Sequence, residues 1–304
     1  MVKFYPVRYA DKEYPRDIKP MIQEVPANFF RQTLDKTELP YLSLHTDPGH
    51  RWPRDKILSS ELIKEFQTIR DRDNMFDKGD YFVSQLWFDE KWSKEFADFL
   101  VRMAEGTDKI IKVIEIHPPF DNYCDSLDTF LKIYKVFEKK VLKEFPSAII
   151  NIENRCNPKP HLKGGKFIVS TNEDIINLAK LIPKHEVKLQ LVIDIPQLLT
   201  AHYKRKSLSE SMIREALSPL QGIRGLISST HIWRSNIINQ KYVPHSGDFN
   251  TYIKDKNVKK FFLEEIYKLF DDDKERYFVP EVNKHIYVKS IIYDLRSVGI
   301  EFEP

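Results

Sequence analysis

The chain has 304 residues, of which 41% are hydrophobic and 31% are charged, and its formal net charge is +3 at pH 7. This length allows a sizeable core and is too great for a typical two-layer domain. The mild positive charge permits a phosphate-bearing partner without requiring nucleic acid. Two cysteines without CxxC spacing indicate a reduced, intracellular protein, and the absence of a membrane-length apolar run or a signal-peptide pattern leads us to expect a soluble cytoplasmic chain.

The first 40 residues are rich in tyrosine, charge and proline. Prolines at positions 6, 15, 20, 26 and 40 interrupt any regular pattern. We therefore predict an irregular N-terminal extension over residues 1–40, with one short strand near Val2–Tyr9, followed by a single domain over residues 41–304.

From residue 41 onward, short apolar runs alternate with amphipathic helical patterns. This alternation is typical of βαβ units and a parallel sheet, and its pace of roughly 31 residues per unit favours a single (β/α)8 TIM barrel. A doubly wound open sheet is the alternative, but it requires a Gly-rich turn after the first strand, which is absent. The eight predicted strands are 42–45, 81–87, 110–117, 148–153, 189–194, 225–231, 243–245 and 277–281.

The predicted strands 148–153, 189–194, 225–231 and 277–281 end on the candidate metal ligands Glu153, Asp194, His231 and Glu281. A TIM barrel places its active site at the carboxyl ends of its strands. A single acid at such a position more often caps a helix or faces solvent, but four together indicate one site. Three carboxylates and one imidazole form an oxygen-rich shell suited to one divalent ion of Mn, Mg, Co, Fe or Zn, with positions left for substrate.

The segments around these residues resemble the xylose isomerase-like TIM barrel superfamily, which includes sugar isomerases and epimerases and the apurinic endonuclease-type enzymes. The resemblance covers roughly residues 80–298 and rests on order and spacing. It implies that the four residues bind one divalent ion and that Glu153 and Glu281 also transfer protons. The segments that carry it are Ile152-Glu-Asn154, Val192-Ile-Asp194, Thr230-His-Ile232, Pro244-His-Ser-Gly-Asp-Phe249 and Val279-Pro-Glu281.

The apurinic endonucleases of this superfamily hold three zinc ions, and the chain matches their further ligands only in part. His117, which precedes Pro118, and His245 match two of them and are candidates for a second metal or for substrate. Gln85, Gln197 and Val243 stand where a histidine, a histidine and an aspartate are expected. The resemblance therefore implies one metal, or two if His117 takes part, rather than three.

Further polar and aromatic residues near the predicted strand ends are candidates for substrate contact. Trp87 and Trp233 directly follow strand ends and would wall a pocket for sugar rings or bases, and the basic side chains would grip phosphate or hydroxyl groups. The alternative for each charged residue is a solvated surface position. The set consists of Gln85, Trp87, Arg155, Gln197, Trp233, Arg234 and Asp248.

These residues support three hypotheses. The first is a metal-dependent isomerase or epimerase of a sugar or sugar phosphate, in which paired glutamates move a carbon-bound proton. The second is a metal-dependent phosphodiesterase or nuclease acting on DNA, which the missing zinc ligands disfavour. The third is a barrel that binds a metal or ligand without turnover. We favour the first, because four ligand positions match a mononuclear site.

Overall fold

The protein is described by a computed structural model that covers residues 2–26, 37–46, 74–77, 82–84, 86–87, 89–121, 124–156, 166–204, 206–238 and 241–303. Eight parallel strands form a closed barrel, because the first strand pairs with both the second and the last. The barrel strands are β1 (Lys3–Arg8), β2 (Ile22–Pro26), β3 (Tyr41–His45), β6 (Ile110–Ile116), β7 (Ile149–Glu153), β8 (Gln190–Asp194), β9 (Ile227–Ile232) and β12 (Arg276–Pro280). Two antiparallel hairpins lie outside the barrel: β4 (Asn74–Asp77) with β5 (Phe82–Ser84), and β10 (Arg234–Ile238) with β11 (Lys241–Gly247). A short last strand, β13 (Glu301–Phe302), pairs with β1.

Helices separate the later strands, and polar caps determine where several of them begin. Asp89 accepts a hydrogen bond from the backbone of Trp92, and Thr171 with Asp174 forms a capping box. The apolar faces of the helices pack on the barrel and form the main core. The helices are α1 (Glu90–Ala104), α2 (Leu127–Glu144), α3 (Asn172–Leu181), α4 (Ile195–Tyr203), α5 (Glu210–Leu217), α6 (Phe249–Tyr252), α7 (Lys256–Phe270) and α8 (His285–Arg296), with 3-10 turns at Pro183–His185 and Ser218–Leu226.

The single (β/α)8 barrel is confirmed, but the predicted N-terminal extension over residues 1–40 is wrong. That segment contains β1 and β2, the first two barrel strands, paired in parallel register with β12 and β3. The short strand predicted near Val2–Tyr9 is present as β1, but it belongs to the barrel and not to an extension. β2 was not predicted, because it is short, ends in Pro26 and buries the polar Gln23 and Glu24, so it lacks the continuous apolar run expected of a parallel strand.

Two of the predicted barrel strands are instead parts of antiparallel hairpins. Residues 82–84 form β5, which pairs with β4, and residues 243–245 lie within β11, which pairs with β10. An apolar run of this length does not distinguish a barrel strand from a hairpin strand. The predicted number of barrel strands, eight, is therefore correct, but two of the eight predicted strands do not belong to the barrel.

Trp87 does not wall a pocket, contrary to the prediction. Its side chain is 1% exposed and packs among aromatic rings of α1 and α2, with the centroid of Phe137 at 5.2 Å and that of Phe130 at 5.4 Å. Its indole Nε1 donates to the backbone carbonyl of His117 at 2.6 Å. Trp87 thus anchors the end of β6 from the outside of the barrel. Its backbone has φ of 61°, a left-handed conformation that costs energy in a non-glycine residue.

The apolar cluster inside the barrel consists of few residues. Val7, Ile22 and Val279 form a separate buried cluster, to which the rings of Tyr9, Tyr41 and Tyr277 add partly buried contacts. The carboxyl-end half of the interior holds mostly polar and charged side chains.

Over the described ranges of the chain, every helix is either too short or too polar to span a lipid bilayer.

Candidate active site

The four strand-end residues named from the sequence converge in the barrel. Glu153 and Asp194 are the last residues of β7 and β8, His231 is the penultimate residue of β9, and Glu281 directly follows β12. All four are buried, with Glu281 the most exposed at 3%. Ligand atoms of Asp194, His231 and Glu281 lie within 4.8 Å of one another.

Three further ionisable residues join this cluster, and the sequence analysis did not name them. His45 ends β3, Glu24 lies on β2, and Glu115 lies on β6 two residues before His117. Each belongs to at least one group of three ligand atoms within 4.8 Å. His45 ended a predicted strand, so its position was a usable signal. Glu24 lay in the segment assigned to the extension, and Glu115 lay inside an apolar run.

Each of the three histidines of the cluster, of which His117 and His231 are buried, has one ring nitrogen close to a carboxylate or carbonyl oxygen. His45 Nδ1 lies 3.2 Å from Glu24 Oε1, and His231 Nε2 lies 2.9 Å from Glu115 Oε2. His117 Nε2 lies 3.1 Å from the carbonyl of Thr46. A metal-binding histidine usually has its other nitrogen held by a carboxylate or carbonyl, which sets the tautomer and the ring orientation.

The second nitrogen of each histidine points toward a carboxylate of the cluster. His45 Nε2 and His117 Nδ1 each lie 3.4 Å from Glu153 Oε2, and His231 Nδ1 lies 3.5 Å from Glu281 Oε1. His45 Nε2 also lies 3.0 Å from His117 Nε2. Two ring nitrogens at that distance either share a proton or converge on a cation. His45, His117 and Glu153 thus form a second group of three ligand atoms within 4.8 Å.

The charge balance of this cluster favours a cation. Among the described residues, five buried carboxylates face it, and the nearest permanent positive charge is that of Arg155, whose Nη1 lies 3.0 Å from Glu153 Oε1. Buried charges require pairing, because the low dielectric of the interior penalises an isolated ion heavily. The five carboxylates are Glu24, Glu115, Glu153, Asp194 and Glu281.

The pKa values of the cluster show how this charge is distributed. Burial opposes ionisation of Glu153, but Arg155 and His117 outweigh it and hold the pKa of Glu153 well below its usual range. Burial, followed by the charge of Glu153, raises the pKa of Asp194 well above its usual value. Burial opposes protonation of His231, yet Glu115 and Glu281 raise its pKa well above the ordinary value. Without a metal the cluster therefore retains protons that a divalent ion would displace.

The donor set fits a divalent metal ion by two observations. Glu153 Oε2 and His231 Nδ1 are fully buried and make no hydrogen bond of good geometry to the described residues. Buried polar atoms normally have a partner, so each such atom requires an explanation. Carboxylate oxygens and imidazole nitrogens are the ligands of Mn, Fe, Co and Zn. A cation between the ligand groups would satisfy both atoms.

His245 and Trp233 lie beside the cluster. The His245 ring stacks on Trp233 with centroids 4.6 Å apart, and its Nδ1 lies 2.7 Å from the backbone carbonyl of Glu281. The indole Nε1 of Trp233 donates to Asp194 Oδ2 at 2.9 Å. His245 belongs to none of the three-ligand groups found among the described residues. The structure therefore places His245 and Trp233 on the wall of the site.

The other predicted contact residues have different surroundings. Gln197 adjoins the site, since its backbone nitrogen donates to Asp194 Oδ1 at 2.8 Å and its side chain accepts from the thiol of Cys156. Arg234 begins β10, next to Trp233. Asp248 caps α6 and accepts from Ser290 at 2.6 Å, so its carboxylate has a structural role. Gln85 lies outside the described residues.

The position assigned to Gln85 is filled by another residue. The strand that neighbours β6 in the barrel is β3, and it ends on His45. The residue at the end of the strand next to His117 is therefore His45, whereas the sequence prediction assigned Gln85 to that position. Among the described residues, the cluster contains four overlapping groups of three ligand atoms that lie within 4.8 Å of one another.

No protein-family model and no curated protein matches this sequence. Solved structures do match it. A D-tagatose 3-epimerase-like protein is 12% identical with a TM-score of 0.50, over 97% of this chain and 98% of that one. An AP endonuclease of family 2 from Brucella melitensis is 9% identical with a TM-score of 0.51, over 96% of this chain and 97% of that one. The chain therefore shares the fold of these two proteins, the (β/α)8 barrel that the sequence predicted.

Proposed function

We propose that this chain is a divalent-metal-dependent isomerase or epimerase of a sugar or sugar phosphate. The observation that carries the proposal is the convergence of Glu153, Asp194, His231 and Glu281 in one buried cluster. The two glutamates lie on β7 and β12, on either side of the strands that hold Asp194 and His231. Carboxylates on opposite sides of a metal site suit a reaction that removes a proton on one face and returns it on another.

Asp194, His231 and Glu281 would hold the ion, with Glu153 completing the set. When bound, a divalent ion supplies a positive charge that polarises a carbonyl or hydroxyl oxygen of the substrate. Glu24 and Glu115 would keep His45 and His231 in the required tautomers, because each carboxylate contacts one ring nitrogen while the other nitrogen faces Glu153 in His45 and Glu281 in His231.

Glu153 and Glu281 would move the carbon-bound proton. Arg155 holds Oε1 of Glu153 at 3.0 Å and leaves Oε2 directed into the cluster, so Oε2 would face the ion with one lone pair and the carbon-bound proton with the other. Glu281 lies at the same end of the barrel on β12 and would return the proton. Both carboxylates are almost fully buried, which limits competition from bulk water during the transfer.

The surroundings of the cluster suit a small hydroxylated ligand. The half-buried indole of Trp233 offers an apolar face, and its Nε1 is fixed by Asp194. Sugar rings present apolar faces that pack on such walls, while Arg155 beside Glu153 and Gln197 beside Asp194 add hydrogen-bonding groups. These side chains would orient the substrate rather than react with it.

Metal-dependent phosphodiester hydrolysis is the second candidate, and one specific observation favours it. His45, His117 and Glu153 form a second ligand group that shares Glu153 with the first cluster. Two adjacent metal ions are a recurring arrangement in enzymes that cleave phosphodiesters. His45 is a candidate ligand that the sequence prediction did not include. The absent ligands therefore disfavour phosphodiester hydrolysis less strongly than predicted from the sequence.

Solvent isotope exchange tests the proposal. The protein is incubated with a divalent metal ion and a panel of ketoses, aldoses and their phosphates in deuterated water, and deuterium incorporation is followed by NMR. We expect exchange with at least one sugar, and a loss of ~10²–10⁴-fold in Glu153→Gln or Glu281→Gln, because the amide cannot accept the proton. Glu138→Gln is the matched control, since Glu138 is buried but accepts from the backbone of Lys188, away from the site.

The same preparations distinguish the second candidate. Each is incubated with DNA that contains an abasic site, and strand cleavage is followed on a denaturing gel. Metal-dependent cleavage that disappears in Glu153→Gln, combined with no deuterium in any sugar, would replace the isomerase with a phosphodiester hydrolase. Neither exchange nor cleavage in the metal-loaded protein would indicate a barrel that binds without turnover.

A further inference from the structure

The amino end of the barrel, opposite the candidate active site, contains a cavity of about 520 Å³. All eight barrel strands contribute a residue near their first positions to its wall. In most TIM barrels this part of the interior is filled by layers of branched apolar side chains. Here the volume falls within the range of sites that hold small molecules.

Two β-bulges aim polar residues at this cavity. The pairing of β3 with β6 skips Lys112, and the pairing of β8 with β9 skips Ser228. Both skipped residues line the cavity. Bulges occur often at barrel rims, where they redirect a side chain. The two bulges thus place the Lys112 ammonium group and the Ser228 hydroxyl group on the cavity wall. Without the bulges, the alternation of side chains along each strand would place other residues there.

The cationic side chains of the cavity are not balanced by its acids. Lys112 forms no ion pair within the described residues, and its Nζ lies 4.9 Å from the centre of the Tyr41 ring. Lys274 donates to two neutral acceptors, Gln190 Oε1 at 3.0 Å and the carbonyl of Gly225 at 2.7 Å. The acid on the wall, Glu275, accepts from the hydroxyl of Tyr5 at 2.9 Å.

The third cation of the wall is rigid and already paired. Arg276 is 1% exposed, and its guanidinium contacts both oxygens of Asp272 at 2.6 and 2.8 Å. It also donates to the carbonyl oxygens of Ile227 and Arg224. Arg276 therefore fixes this side of the cavity, and Lys112 and Lys274 are the cations with capacity for a further anionic partner.

We propose that this cavity is a second ligand site, which binds a small organic anion with a flat apolar body. The carboxylate or phosphate group of the ligand would pair with Lys112 and Lys274. Its body would pack between the rings of Tyr5, Tyr41 and Tyr277, which line the cavity. Amphipathic tyrosine walls with a few convergent polar groups are the usual composition of such sites. This site is separate from the carboxyl-end cluster and does not depend on the proposed function.

The test uses phenyl phosphate as the probe, because it combines a dianion with a flat ring, and isothermal titration calorimetry as the readout. We expect saturable binding of roughly millimolar affinity or better. Lys112→Met should weaken binding about tenfold or more, because a charge-assisted hydrogen bond is lost. Lys112→Arg should retain binding, and this second variant separates loss of charge from misfolding.

Two control variants locate the binding site. Lys180→Met makes the same change on the exposed surface of α3, and Asp194→Asn alters the carboxyl-end cluster. Both should bind phenyl phosphate as the unmodified protein does. The absence of saturable binding, equal binding by Lys112→Met, or loss of binding in Asp194→Asn would each overturn the proposal.

Discussion

Replacing Glu115 by Gln should weaken metal binding although Glu115 lies behind a proposed ligand. Its Oε2 lies 2.9 Å from His231 Nε2, and both side chains are at most 1% exposed. The two atoms form a close ion-pair contact, although neither makes a hydrogen bond of good geometry to the described residues. Carboxylates behind metal-binding histidines affect metal affinity by about 10–100-fold, which corresponds to about 1.4–2.8 kcal/mol. We therefore expect the Kd for Mn²⁺ or Zn²⁺ to rise at least about tenfold.

The measurement is a competition titration of the purified protein against a chelator of known affinity, with metal binding read by calorimetry. Glu138→Gln serves as the control, because Glu138 is also buried and accepts a backbone hydrogen bond elsewhere, from Lys188 at 2.7 Å. Equal metal affinity in Glu115→Gln and the unmodified protein would refute the role assigned to Glu115.

Three further predictions concern the second ligand group, the amino end of the barrel and the aromatic core. His45→Ala should reduce bound metal by one equivalent if both ligand groups are filled, as measured by metal analysis after dialysis. Asp272→Asn should lower Tm by roughly 5 °C or more at pH 7, while Asp273→Asn changes little, because Asp272 neutralises the buried Arg276. Burial opposes ionisation of Asp272, but Arg276 lowers its pKa. The stabilisation from Asp272 is therefore present above the ordinary carboxyl pKa of about 4 and is lost as pH falls through the lowered pKa. The melting curves of Asp272→Asn and the unmodified protein should therefore converge in acid. Trp87→Ala should cost about 3–5 kcal/mol of unfolding free energy, seen in a denaturant titration.

The carboxyl-end cluster was predictable where ligand types ended apolar runs. Glu153, Asp194 and His231 end such strands, and parallel strands in a barrel bring their ends together. Glu24 could not be found in this way, because its strand contains two buried polar residues and ends in proline. The predicted strand near Val2–Tyr9 and the unpredicted β2 belong to the barrel through tertiary pairing with β12 and β3, which local patterns do not report.

Errors in strand membership changed the chemical interpretation as well. Assigning residues 81–87 to the barrel placed Gln85 beside β6, whereas the pairing of β3 with β6 places His45 there. Trp87 was assigned to a pocket wall because it followed an apolar run, but the rings of α1 and α2 surround it. Which face of a short strand is buried, and against what, depends on contacts between distant segments.

Counting metal equivalents per chain tests the central claim, that the carboxyl-end cluster is a metal centre, most directly. The purified protein is dialysed against Mn²⁺ or Zn²⁺ and analysed by mass spectrometry, in parallel with single Ala variants of Glu153, Asp194, His231 and Glu281. We predict one or two equivalents in the unmodified protein and much less in each variant, since each removes a ligand from a buried group. Full occupancy in all four variants, or no bound metal in the unmodified protein, would contradict the claim.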